Sequence, residues 1–185
     1  MERSVNALDS KIIIGICNGD RDAMYELYSA YFERALRLAI AITRNRDMAQ
    51  DAVQETFIRV YRNMHTFDQT KRFEPWLYKI LVNESRRLLK KEQRLFFWMR
   101  NDYKDAEHIQ ADESPDYEEL YEAIQSLSDK VRLPIILKYL QGFSEKEIAD
   151  TLDIPLNTVK SRLFQGRKKL LKQLQDLEER SAYHA

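Results

Sequence analysis

The chain has 185 residues, 44% of them hydrophobic and 32% charged, which allows one domain or two small ones with a buried core. Lys plus Arg and Asp plus Glu balance at 30 each. No apolar run is long enough for a bilayer, and MERSVNALDSKIII lacks the basic-then-apolar order of a signal peptide, so a non-membrane protein is expected.

The zero net charge hides a pattern. Residues 1–100 carry 18 basic and 13 acidic side chains, residues 101–125 one and nine, and residues 126–185 eleven and eight. Two mildly basic blocks are therefore separated by an acidic strip that holds Pro115 and little apolar surface. Such a strip cannot bury enough to order itself and reads as a linker. The expected domains are residues 1–100 and 119–185, joined by an acidic linker over 101–118. Glycine is scarce and the periodicity is helical almost throughout, so the fold class is all-α: two small helical domains on a flexible tether.

Near the N-terminus, Cys17 is the only cysteine. That excludes disulfides within the chain and cysteine-rich zinc sites. Its neighbours, IIIGICNG, suggest a buried small hydrophobe. Asn18-Gly19-Asp20 is a turn, and Asp20 caps a helix with apolar positions Met24, Leu27, Tyr28, Tyr31, Leu38 and Ile42. Asn45-Arg46-Asp47 breaks it, and Asp47 with Gln50 is expected to open the next helix as a capping box. That helix should bury Ala49, Ala52, Val53, Phe57, Val60, Tyr61 and Met64. Its other side exposes Asp51, Gln54, Glu55 and Arg59.

Pro75 suits the first turn of a third helix, WLYKILVNESRRLLKKEQR. Leu77, Leu81 and Leu88 form its apolar stripe. Trp76, Lys79, Asn83, Arg86, Arg87, Lys90 and Arg94 share an arc of roughly 100° on a different side. An aromatic, an amide and several cations on one stripe suit a nucleic-acid strand, with bases stacked and phosphates held. The plainer alternative is Trp76 in the core beneath a solvated basic edge.

Beyond the acidic strip, Ser144 and Glu147 form a capping box for SEKEIADTL. A turn with Pro155 follows, then LNTVKSRLFQGRKK. Two short helices across a tight turn, the second basic, is the pattern of a DNA-reading helix-turn-helix. Val159, Leu163, Leu170 and Leu174 make its inward stripe. Thr158, Ser161, Gln165, Lys168 and Lys172 lie opposite, with Arg162 and Lys169 beside them. From Leu156 to Lys172 there are six basic residues and no acid. Small polar residues to reach base edges and cations for phosphates are what a major-groove helix needs. The three histidines lie far apart, and no Gly-rich phosphate loop or nucleophile cluster occurs, so no catalytic residue, metal or cofactor is expected.

DMAQDAVQETFIRVYRNMHTF, FEPWLYKILVNESRR and LSDKVRLPIILKYLQGFSEKEIADTLDIPLNTVKSRLFQGRKKL, in this order, resemble the extracytoplasmic-function (ECF, group 4) sigma factors of bacterial RNA polymerase, in the sigma-70 family. The resemblance covers roughly residues 20–95 and 120–175. It implies region 2 in the first block and region 4 in the second. Asp51, Gln54, Glu55 and Arg59 would then dock on core polymerase. Phe67, Arg72, Phe73, Trp76, Lys79, Asn83, Arg86, Arg87 and Lys90 would open and hold the −10 element. Thr158, Lys160, Ser161, Arg162, Phe164, Gln165, Arg167 and Lys168 would read or flank the −35 element. Many relatives carry Arg where this chain has Gln165, Gly where it has Asn157, and an Asp in the neighbourhood of Arg86-Arg87. The implied partners are core RNA polymerase, promoter DNA and an anti-sigma factor, often membrane-bound in the family, with no small-molecule substrate. The implied location is the bacterial cytoplasm, at the membrane when such an anti-sigma factor holds the protein. Two other classes fit less of the chain. A stand-alone helix-turn-helix regulator needs a dimer interface that only Leu170 to Leu177 hints at, and a helical enzyme needs a cluster that is missing.

Overall fold

The computed structural model describes the backbone of residues 11–98 and 123–183, and the side chains of residues 11–94, 123–173 and 175. Among these residues every regular element is helical, and the chain divides into two compact units, Met1–Glu107 and His108–Ala185. The expected linker, 101–118, lies outside the described residues.

Unit 1 contains α1 (residues 11–17), α2 (Arg21–Thr43), α3 (Arg46–Asn63), a 3-10 turn (Met64–Thr66) and α4 (Phe73–Trp98). Gly19 sits at φ 81°, a turn conformation that an L side chain resists. Asp20 then caps α2, its Oδ1 accepting from the amides of Asp22 at 2.9 Å and Ala23 at 3.4 Å. At the next corner the cap is Asn45, not Asp47: its side chain accepts from the Met48 amide at 2.8 Å. Asn45 has the extended backbone a cap requires, whereas Asp47 is already helical and favours the helix through its charge in the first turn.

The three long helices bury one stripe each. Leu27, Tyr31, Leu38 and Ile42 from α2 meet Ala49, Ala52, Val53, Phe57 and Val60 from α3, with Leu77 and Leu81 from α4 and Met64 from the turn. Expected Tyr28 and Tyr61 are outside, 39% and 52% exposed. The helical period puts Tyr61 on the side of Gln54 and Ile58, away from Val53 and Val60. Tyr28 lies over the core's edge, stacked on Phe32 with centroids 4.8 Å apart. Cys17 is also exposed rather than buried. Ile12, Ile13 and Ile16 take the inner stripe of α1, and the cysteine falls off it.

Unit 2 contains α5 (residues 123–126), α6 (Asp129–Tyr139), α7 (Glu145–Leu152) and α8 (Leu156–Tyr183). Arg132 is fully buried where α5 meets α6. It donates from Nη1 to the Gln125 and Leu127 carbonyls at 3.3 Å and from Nη2 to Asp129 Oδ1 at 2.8 Å. The Ser144 capping box is complete: Ser144 Oγ accepts from the Glu147 amide at 3.2 Å, and Glu147 Oε2 accepts from the Ser144 amide at 2.8 Å. Asp153, left-handed at φ 55°, ends α7, and the chain re-enters helix one residue after Pro155. Val159 and Leu163 face inward as expected, Leu170 is half-buried, and the Leu174 side chain lies outside the described residues.

Gly166 brings α8 against α6. It is buried, and a Cβ there would stand 2.6 Å from Ile135 Cγ1. Only a hydrogen fits between the two helices at that point.

Candidate nucleic-acid and polymerase interfaces

α8 turns a continuous polar and basic face outward. Lys160, Ser161, Gln165, Lys168 and Lys172 are exposed, while Thr158 and Arg162 are half-buried at its margins. Ser161 Oγ donates to the Thr158 carbonyl at 3.0 Å, which leaves its lone pairs outward. Arg167 reaches across to the Tyr139 hydroxyl at 3.4 Å. Phe164 is 63% exposed in the middle of this face. A solvent-facing ring flanked by cations and amides is a poor surface for water alone and a good one for base edges.

In unit 1 the outer arc of α4 holds Lys79, Asn83, Lys90 and Arg94, all exposed, with Arg86 half-buried. The aromatic end of the arc is arranged otherwise than expected. Phe73 is 1% exposed and packs edge-on against Tyr31 and Phe67, with centroids 5.5 Å apart in both pairs. Phe67 is 8% exposed. Phe73 therefore belongs to the core, and Phe67 closes it; neither ring meets solvent as a contact surface. The reason is that the loop folds back over α2 and α4, so both rings find apolar neighbours from distant segments. Trp76 rests on this pair, its ring 5.2 Å from Phe67 and 5.7 Å from Phe73, and stays half-buried. One face of the indole is thus fixed from below.

The loop before α4 is tied to itself. Asp68 Oδ1 accepts from the Thr70 amide at 3.0 Å and its hydroxyl at 2.7 Å, and Lys71 stands 3.7 Å from Oδ2. The Thr70 hydrogen bonds, then Lys71, hold the Asp68 carboxyl below the ordinary carboxylate value. Arg72 Nη2 is hydrogen-bonded to Glu74 Oε2 at 2.7 Å, so its charge is partly spoken for.

On α3, Asp51 and Gln54 are exposed, whereas Glu55 and Arg59 are half-buried. Ile58, 37% exposed, lies between them and extends the face with Tyr61. These two apolar residues were absent from the expected docking set, although the 100° step from Gln54 already puts both on this side. Arg59 Nε donates to Glu55 Oε1 at 3.2 Å and stands 2.9 Å from Oε1 of Glu84 on α4. Glu84 Oε2 also accepts from Arg87 Nε at 2.7 Å. Among the described residues no group of His, Cys, Asp and Glu is placed to hold a metal ion, and no helix is long and apolar enough to cross a membrane.

The family model for sigma-70 region 2 matches residues 27–95, from within α2 through α3 and into α4, and the model for sigma-70 region 4 matches residues 117–170. The ECF RNA polymerase sigma factor SigW of Bacillus subtilis (strain 168) is 32% identical over 187 residues, covering 90% of this chain and 97% of the relative. The chain belongs to the ECF sigma factors. The RNA polymerase sigma-H factor of Pseudomonas aeruginosa is 30% identical over 183 residues, covering 91% of this sigma factor and 95% of that one. Among solved structures, the sigma factor RpoE of Bartonella quintana, crystallised with the anti-sigma factor NepR, superposes with a TM-score of 0.71. It shares 25% identity, and the match covers 82% of this chain and 96% of that one. As an ECF sigma factor the protein is a DNA-binding transcription initiation factor that directs core RNA polymerase to promoters.

Proposed function

We propose that the two units divide promoter recognition between them. The first half of α8 enters the −35 major groove. Lys160, Ser161, Phe164 and Gln165 meet base edges there, with Thr158 and Arg162 at the margin and Arg167 and Lys168 on phosphates. The outer arc of α4, from Trp76 through Lys79, Asn83, Arg86 and Lys90, holds the unpaired −10 strand. Phe67 and Phe73 act from beneath by keeping the Trp76 ring in place. Arg72, tied to Glu74, orients the loop above. The α3 face of Asp51, Gln54, Glu55 and Arg59 docks on core polymerase. Capture of an extruded base has to offset a few kcal/mol of lost stacking, and an indole braced on one side is suited to that.

The observation that carries this reading is the unbroken outward face of α8, set by a glycine contact that leaves its polar side to the groove. The chain supplies no chemistry of its own in this reading; polymerase makes the RNA. It works in the bacterial cytoplasm under an anti-sigma factor, for which the solved relative bound to NepR is the support. Run-off transcription with core enzyme tests the assignment, with start sites mapped by sequencing the RNA. Promoter-specific transcripts are expected only when both are present. A stand-alone regulator would instead shift a palindromic site without polymerase.

A further inference from the structure

Glu84 is the least exposed carboxylate of the α3–α4 interface, with 5% of its side chain accessible. A buried carboxylate is costly unless paired, and this one is paired on both oxygens. Oε1 is 2.9 Å from Arg59 Nε on α3, and Oε2 accepts from Arg87 Nε at 2.7 Å. Arg59 in turn donates to Glu55, so the charges alternate along Glu55–Arg59–Glu84–Arg87, from the docking face of α3 to the outer arc of α4. By sequence Arg87 belongs with the strand-binding cations. By structure its Nε donor points inward to Glu84, and the group is half in solvent and half committed.

We propose that Glu84 is a positioning residue that withdraws Arg87 from the strand-binding arc and uses it, together with Arg59, to lock α4 to α3. The strand then meets Lys79, Lys90 and Arg94 as exposed cations, while Arg87 stays neutralised in its ion pair with Glu84 and makes no phosphate contact. A fixed, compensated arginine keeps the arc from gripping phosphates indiscriminately. It also ties the geometry of the strand face to that of the polymerase face through one buried carboxylate. The inference rests on the reading of the α4 arc as the strand face.

The test measures affinity of reconstituted holoenzyme for a fork carrying the unpaired −10 strand, across a salt series. Freeing Arg87 with Glu84→Gln should steepen the log–log salt slope by about 0.7, the value for one added single-strand phosphate contact, so that about 2.6-fold more affinity is lost between 50 and 200 mM salt. Adding Arg87→Gln to that variant should return the slope to its original value. In the otherwise unaltered protein, Arg87→Gln should leave the slope where it is. This arm decides the matter even where Glu84→Gln fails to fold. Lys90→Gln is the control for the underlying reading and should lower the slope by about 0.7. A loss with Lys90→Gln and an equal loss with Arg87→Gln alone would overturn the role of Glu84 while leaving the strand face intact. No loss with Lys90→Gln would overturn the strand face itself. A merely structural Glu84 would lower affinity with the slope unchanged, which also refutes the proposal.

Discussion

Replacing Gly166 by alanine should loosen α8, the helix proposed to read the −35 element. The new Cβ would lie 2.6 Å from Ile135 Cγ1, 2.7 Å from Ile135 Cδ1 and 3.0 Å from Val131 Cγ1. Carbon pairs settle at about 3.5–4.0 Å, so α8 has to retreat from α6 by roughly 1 Å or push both side chains aside. Ile135 and Val131 are 2% and 5% exposed and branched at Cβ, so neither has an open rotamer to move into. Overpacking of this kind costs about 1–3 kcal/mol. Alanine in place of glycine inside a helix offsets about 1 kcal/mol of that. The net loss should be on the order of 1 kcal/mol, a fall of roughly 4–8 °C in the melting of a unit this small. Calorimetry of the full-length protein, with hydrogen exchange read at the α6 and α8 amides, measures it. The −35 affinity of holoenzyme should fall as well, because the retreat of α8 alters how far its side chains reach. An unchanged or raised melting temperature would refute the reasoning, since propensity alone would then outweigh the contact.

Asp51→Arg with Glu55→Arg should abolish pull-down of core polymerase while circular dichroism stays helical, because Asp51 is exposed and Glu55 half-buried on a face outside the core; undiminished capture would move the docking surface elsewhere. Gln165→Arg should shift one preferred −35 base from adenine toward guanine, worth roughly 1–3 kcal/mol at that position. Selection from a randomised −35 library with both holoenzymes reads this out, and identical preferences would mean that Gln165 does not face a base. The Asp68 carboxyl, held low by Thr70, contributes to loop order above the ordinary carboxylate value, and that contribution is lost as pH falls through its depressed folded value. Protection of the Thr70 amide, taken relative to its intrinsic exchange rate at each pH, should therefore fall as the pH is lowered from 6, and Asp68→Asn should show no such pH-dependent loss.

Much of this protein is decided locally and can be read from the chain. The Asp20 cap, the Ser144–Glu147 box and the turn at Pro155 depend on residues within a few positions of each other, so the helix boundaries follow from the sequence. The inner stripes of α2, α3 and α8 follow from a 3.6-residue period, and the outward set of Lys160, Ser161, Gln165 and Lys168 is their complement. The family is legible for the same reason: its motifs are contiguous. What the sequence could not settle involves partners brought from far along the chain. Phe67 and Phe73 look like loop aromatics free to meet DNA until Tyr31, more than thirty residues earlier, closes over Phe73. Arg87 has its partner Glu84 only three residues away on α4, but that this carboxylate is buried and shared with Arg59 is decided when α3 packs against α4. Gly166 looks like a weak point in a basic helix until α6 arrives with Ile135 and no room for a methyl group. A helical wheel gives the direction of each side chain from its own axis, but which directions end in solvent and which in a neighbour is set only when the helices pack.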